Sequence, residues 1–255
     1  PDNLHRAGRP LAALFDLGTV YLTYRLTCKL WPPSETGGKR DARVFGLLAA
    51  TLAGLAILSV QLSHFYTTDP LLTFFVMLVL NLSLDIVRGG GRWSQVALGV
   101  AFGLAMATKV SALLLVLVVL AAYGIRCTRE IQEEAGYRAQ VRTAVRSMVP
   151  TLAVAGFVFV VVQPYVLIDW GTFLEHTIRE SQIAWGVLDV PYTRQYAGTL
   201  PYLYSIWQAA FWGLGLPLGL VAWTGLGIAL VRWLRRGHAS DALLLIWAGP
   251  YLVLT

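Results

Sequence analysis

Charge is scarce in this chain, and so are cysteine and the motifs of soluble enzymes. Only 13% of the residues are charged, against the roughly 25% usual for a soluble domain. An ordinary water-soluble globular domain is therefore excluded. Two cysteines, Cys28 and Cys127, make no disulfide framework. There is no low-complexity tract and no convincing internal repeat. No P-loop, His-Glu-x-x-His or Gly-x-Ser-x-Gly occurs. The polar loops thus offer no nucleotide site. Pro1–Pro10 is polar, lacks an initiator Met and does not read as a signal peptide.

What the chain has is apolar length. Hydrophobic residues make up 56% and the mean hydropathy is +0.62. Crossing a bilayer takes about 20 mostly apolar residues. Stretches of that kind occur at 10–30, 44–62, 70–87, 94–123, 149–168, 203–231 and from 242 onward. Charge decides how 94–123 runs. If it reverses near Thr108-Lys109, most of the 20 Lys and Arg fall on one side. That set includes Lys39, Arg40, Arg43, Arg88, Arg92, Arg126, Arg142 and Arg236, and the opposite side keeps Arg6, Arg9, Lys109, Arg179 and Arg194. Cytoplasmic loops carry the Lys/Arg excess, so the basic side is inside. The expected architecture is an all-α, polytopic transmembrane helical bundle with about eight spans and an outer juxtamembrane helix. It is expected to be a single domain, 1–255, cut at both ends. The net charge of +6 follows from this topology and from anionic lipid, and gives no reason to invoke nucleic acid.

Functional candidates gather at the outer mouths. The string Ser63-His64-Phe65-Tyr66-Thr67-Thr68-Asp69-Pro70 separates two apolar stretches. Ionisable groups at such a junction are costly unless they face water, a partner or a ligand. Asp69 suits a general base, a metal ligand or an acceptor for a sugar hydroxyl. It also suits an N-cap, with Pro70 opening the helix. His64 and Asp69 lie too far apart in sequence to claim a metal site. Lys109 suits snorkelling, a phosphate contact or a pair with Asp69. Inside the first span Asp16 needs a partner on another helix or a neutral state, since it lies about two and a half turns from Arg25.

The outer segment 169–201 is too polar to span. Thr172-Phe-Leu-Glu175 fits a capping box. Leu174, Ile178, Ser181 and Trp185 form an apolar face, with Glu175, His176, Arg179 and Glu180 opposite and Glu175–Arg179 spaced to pair. Such a helix lies on the membrane, apolar side down. Tyr192, Arg194 and Tyr196 follow. Aromatics belong at interfaces, and a guanidinium can grip a phosphate with two parallel bonds. Gly99-Val-Ala-Phe-Gly103 and Gly215-Leu-Pro-Leu-Gly219 are helix-packing patterns.

Three segments, in order, resemble one family. Arg9-Pro-Leu-Ala-Ala-Leu-Phe-Asp16, His64-Phe-Tyr-Thr-Thr-Asp-Pro-Leu-Leu-Thr-Phe-Phe75 and Gly103-Leu-Ala-Met-Ala-Thr-Lys109-Val-Ser-Ala are similar to segments of the GT-C fold integral-membrane glycosyltransferases of the protein O-mannosyltransferase type, glycosyltransferase family 39. The resemblance covers nearly the whole chain. It implies a transferase that moves a sugar from a polyprenyl-phosphate-linked donor to a protein, lipid or glycan acceptor, with inversion, at the outer face of a bacterial or archaeal plasma membrane. By that mapping Asp69 supports the site and Lys109 is a phosphate candidate, with Arg194 added mainly for its chemistry; Asp69 and His64 are taken as the catalytic candidates. Lys109, Arg194, Tyr66, Tyr192 and Tyr196 are the substrate-binding candidates, with Lys109 and Arg194 facing the carrier phosphate. No metal ligand set is assigned, and the need for a divalent metal is left open, as is the sugar. The family's main catalytic acid sits in a first outer loop that would precede Pro1, so the chain alone is expected to be inactive. The alternatives are a transporter or flippase, which would show repeats and broken segments at the midplane, and a non-catalytic scaffold of the same fold.

Overall fold

The computed structural model describes residues 2–30, 39–130, 137–191, 193–196, 198–200 and 202–254. Among them there is no strand. The helices are α1 (Asp2–Leu30), α2 (Lys39–Gly54), α3 (Ile57–Ser63), α4 (Asp69–Val87), α5 (Arg92–Thr108), α6 (Leu115–Glu130), α7 (Tyr137–Val162), α8 (Tyr165–Ile168), α9 (Trp170–Ala184), α10 (Leu203–Gln208), α11 (Leu216–Arg236) and α12 (Ala239–Leu254). A 3₁₀ turn at Val110–Leu114 joins α5 to α6, and another covers Arg194–Tyr196.

Four segments are long and apolar enough to cross a membrane: Asp69–Val87, Val110–Thr128, Val141–Val162 and Leu216–Arg236. A fifth arises if Arg40–Gly54 and Ile57–Ser63, bent by 61° at Leu55-Ala56, are one span. The other expected crossings fall short of that combined standard. α1 carries Asp16 and Arg25, α5 has 17 residues, and α12 has 16. The bundle shows the exposed apolar surface a lipid environment requires, including Leu14, Leu47, Phe157, Leu220 and Ile228.

The core lies where α4, α5 and α6 meet. Val79, Leu80, Leu84 and Ile86 of α4 pack with Leu98, Ala101 and Phe102 of α5 and Leu115, Val118, Val119 and Ala122 of α6. α1, α7 and α12 close around them. Glycine sets the tightest approach. A Cβ at Gly99 would lie 2.6 Å from the Thr151 carbonyl oxygen, and one at Gly103 2.5 Å from that of Ala155. The first small-residue pattern is therefore the α5–α7 contact. The second serves in the same way, because a Cβ on Gly219 would run into the backbone of Ala210.

The chain reverses at Lys109, as its charge distribution predicts. Lys109 is extended, with φ −156° and ψ 126°. Near the far ends of the two helices, Arg126 Nη1 donates to the Gly90 carbonyl at 3.0 Å. One unbroken helix would hold those residues about 54 Å apart at 1.5 Å per residue. Thr151 on α7 ties the same region. Its hydroxyl donates to the Gln95 carbonyl at 3.2 Å and sits 2.7 Å from the Tyr123 hydroxyl.

Two further expected spans are broken. Segment 149–168 ends its helix at Val162 and restarts after Pro164, which offers no N–H. Segment 203–231 divides at Gly213–Gly215. Gly215 there adopts φ +84°, a left-handed value that glycine reaches without strain.

Candidate functional site

The two ends of the bundle differ in chemistry. One end is held together by cations. Lys29 Nζ meets the Asp85 carboxylate at 2.8 Å and donates to the Asn81 carbonyl at 3.1 Å. Arg88 donates to the Lys29 carbonyl, and Arg232 pairs with buried Asp241 at 3.2 Å. The opposite end carries the α3–α4 junction, the Lys109 turn and α9. Between the turn and α9 lies a cleft of about 1370 Å³, beyond the roughly 300–1,000 Å³ of an ordinary ligand pocket.

Two unlike walls form this cleft. The Lys109 turn contributes Lys109, Ser111, Leu113, Leu114 and Leu117. The wall is apolar except for one ammonium and one hydroxyl. α9 contributes Thr172, His176, Thr177, Glu180 and Ser181, together with Phe173. Gln163, Tyr165, Thr193 and Gln195 complete the lining, and Thr68 reaches it from the α3–α4 junction.

α9 is held by aromatic contacts and a cap. Phe173 stacks on Trp170 at 5.9 Å and meets Phe159 of α7 edge-on at 6.4 Å. The cap is Asp169 rather than Thr172: Asp169 Oδ1 accepts from the Thr172 N–H at 3.2 Å. Aspartate ranks at least level with threonine as a cap, and its position starts the helix three residues sooner. The expected Glu175–Arg179 pair is not among the ion pairs of the described residues; both side chains are exposed. Leu174, Ile178 and Trp185 point away from the cleft, with Trp185 76% exposed. Ser181, expected beside them, stands at the border and lines the cleft.

The predicted site residues are only partly brought together. Lys109 is exposed on the cleft wall and has no ion-pair or side-chain hydrogen-bond partner among the described residues, so it does not pair with Asp69. Asp69 does not cap α4 with its side chain. The helix begins at Asp69 itself, with Thr68 in the cap position and Pro70 in the second turn position. The half-buried Asp69 carboxylate has no partner among the described residues and sits one residue from the cleft-lining Thr68. His64 is exposed and does not line the cleft. Its Nδ1 bonds the Val60 carbonyl at 2.6 Å, closing α3.

Tyr66 is exposed, and its ring lies against Gly8 of α1 rather than in the cleft. Arg194 is already engaged: its Nε and Nη2 donate to Asp189 at 2.9 and 2.8 Å, which raises the guanidinium pKa above its ordinary value. Its neighbours Thr193 and Gln195, not Arg194, line the cleft. Tyr192 lies outside the described residues, and so does the side chain of Tyr196, whose backbone ends the 3₁₀ turn.

Sequence reasoning set His176 and Glu180 on the polar face of an interfacial helix and named neither them nor Thr177 as site residues. The available signal was the i,i+4 spacing of His176 with Glu180 and of Thr177 with Ser181, two polar lines on one side of a helix. No group of three or more His, Cys, Asp or Glu among the described residues is placed to hold a metal ion. No protein-family model, curated protein or solved structure matches the chain.

Proposed function

We propose that this chain belongs to a membrane-embedded glycosyltransferase that takes a sugar from a polyprenyl-phosphate carrier and gives it to a protein, lipid or glycan hydroxyl on the extracytoplasmic side. One observation carries the reading. A large cleft sets Lys109, which has no ion-pair partner among the described residues, in a wall that is apolar through Leu113, Leu114 and Leu117 apart from the Ser111 hydroxyl. An isoprenoid phosphate has the matching form, an apolar tail joined to one anionic head. Lys109 is exposed on that wall, and an ammonium is an effective point-charge partner for phosphate.

Asp69 has a supporting role beside the cleft, because its carboxylate is not consumed by capping. Arg194 reaches phosphate only by leaving Asp189. In this reading the chain crosses the bilayer about eight times, with α1, α5 and α12 counted as crossings. The basic end faces the cytoplasm, and the cleft opens on the other side of a bacterial or archaeal plasma membrane. The resemblance of the three motif segments to family 39 supports the same conclusion.

The test is binding. The chain, reconstituted in nanodiscs, is titrated with a polyprenyl phosphate and with the matching polyprenol. The phosphate binds more tightly, and Lys109→Ala weakens it by about 10-fold or more, the value of one charged contact. Equal affinity for phosphate and alcohol, or full affinity in Lys109→Ala, rejects the reading.

A further inference from the structure

The α9 wall of the cleft has a directional hydrogen-bonding character that the phosphate does not use. Thr177 donates its hydroxyl proton to the Phe173 carbonyl at 2.8 Å, and Ser181 donates to the Thr177 carbonyl at 2.9 Å. Both oxygens therefore present lone pairs, and no proton, to the cleft. Glu180 stands one turn from His176 on the same wall and has no partner among the described residues. An ionised carboxylate only accepts. Three successive groups are thus acceptors, beside an imidazole that can donate or accept.

These three acceptors repel phosphate oxygens and attract ligand hydroxyls. The phosphate therefore belongs to the Lys109 side. A glycosyl group is joined directly to that phosphate, and the remaining volume is ample for a sugar ring.

We propose that the cleft face of α9, through Thr177, Glu180, Ser181 and His176, holds the hydroxyls of the transferred sugar opposite Lys109. This rests on the glycosyltransferase reading above and adds the residues that recognise the sugar. These are positioning residues for the donor. Glu180 fixes the ring by accepting from two neighbouring hydroxyls, a bidentate geometry that a carboxylate provides.

The experiment separates the sugar from its carrier. The nanodisc-held chain is titrated with bare polyprenyl phosphate and with polyprenyl-phosphate hexose, pentose and N-acetylhexosamine. Glu180→Gln and Thr177→Val are compared with the parent. Both substitutions nearly keep shape on a helix with no buried residue, and circular dichroism checks that the fold is retained. The expected result is a loss of about 10-fold for at least one glycosylated lipid, with less than about twofold change for the bare phosphate.

Equal losses for bare and glycosylated lipids, or no loss with any sugar tested, overturn the assignment. So does a loss confined to a Ser/Thr peptide acceptor, which would give the wall to the acceptor instead. Failure of the transferase reading looks different: bare polyprenyl phosphate then binds no better than polyprenol, whatever stands at position 180.

Discussion

Substituting Gly103 by Ala tests the packing that carries the cleft. An ideal Cβ at Gly103 lies 2.5 Å from the Ala155 carbonyl oxygen and 2.9 Å from the Val158 Cβ. A carbon meets a carbonyl oxygen at about 3.3 Å or more, so α5 and α7 must separate by about 0.8 Å. Both offending atoms are backbone or Cβ, and neither can rotate away. Overpacking of this kind costs about 1–3 kcal/mol. Ala also favours the helix over Gly by about 1 kcal/mol, which a single variant would confound. Gly156→Ala removes the ambiguity. It lies on the same contact partner, α7, and a Cβ there meets nothing within 4 Å. The propensity gain is common to both, so the difference between the two variants is the overpacking cost. Thermal melting in detergent should place Gly103→Ala about 2–12 °C below Gly156→Ala, using about 2–4 °C per kcal/mol for a chain of this size. Coincident melting curves would refute the close α5–α7 approach, and with it the argument that fixes where α7 delivers α8 and α9.

Other outcomes follow from the same geometry. Thr151→Val removes the partner of the buried Tyr123 hydroxyl and should cost about 1–3 kcal/mol, more than Tyr123→Phe, which leaves Thr151 its bond to Gln95; equal melting of the two variants counts against the shared node. In a chain whose Cys28 and Cys127 are replaced by Ser, membrane-impermeant thiol reagents should label Ser94→Cys and Thr128→Cys from one side and Lys109→Cys from the other. Labelling of Ser94→Cys and Thr128→Cys from opposite sides would show a single pass instead of a reversal. Asp189→Asn should leave melting unchanged, because the Asp189–Arg194 pair is 66% exposed at both partners and such pairs contribute little. The same change frees the guanidinium, and polyprenyl-phosphate affinity should rise; unchanged affinity would remove Arg194 from the phosphate site.

Local features were readable from sequence, and long-range ones were not. The helical class, the reversal at Lys109 and the outer helix all depend on hydropathy, charge sidedness and period, which neighbouring residues carry. The breaks at Leu55-Ala56, Pro164 and Gly213–Gly215 were missed because the apolar run continues through them, and a hydropathy reading ignores backbone geometry. Asp69 and Thr172 each suit a cap by sequence, yet helix starts shift by one to three residues according to which neighbour satisfies the free N–H groups. The engagement of Arg194 by Asp189 depends on the path of an irregular segment, to which periodicity does not apply. The polar face of α9 was identified, but what it faces is a tertiary fact: only the fold sets His176 and Glu180 opposite Lys109.

The bundle is fastened unevenly. At one end Lys29, Arg88, Arg126 and Arg232 clasp carboxylates and carbonyls of neighbouring segments. At the other, α9 meets α7 through one ring pair, Phe159–Phe173, adjoins α8, and has no buried residue. Mechanically this is a forceps, with a riveted base and free tips. Thermal motion will therefore resolve into opening and closing of the tips about the riveted end, with amplitude growing along α7. Hydrogen exchange should read this as a gradient, slowest around Asn81–Asp85 and fastest in α9.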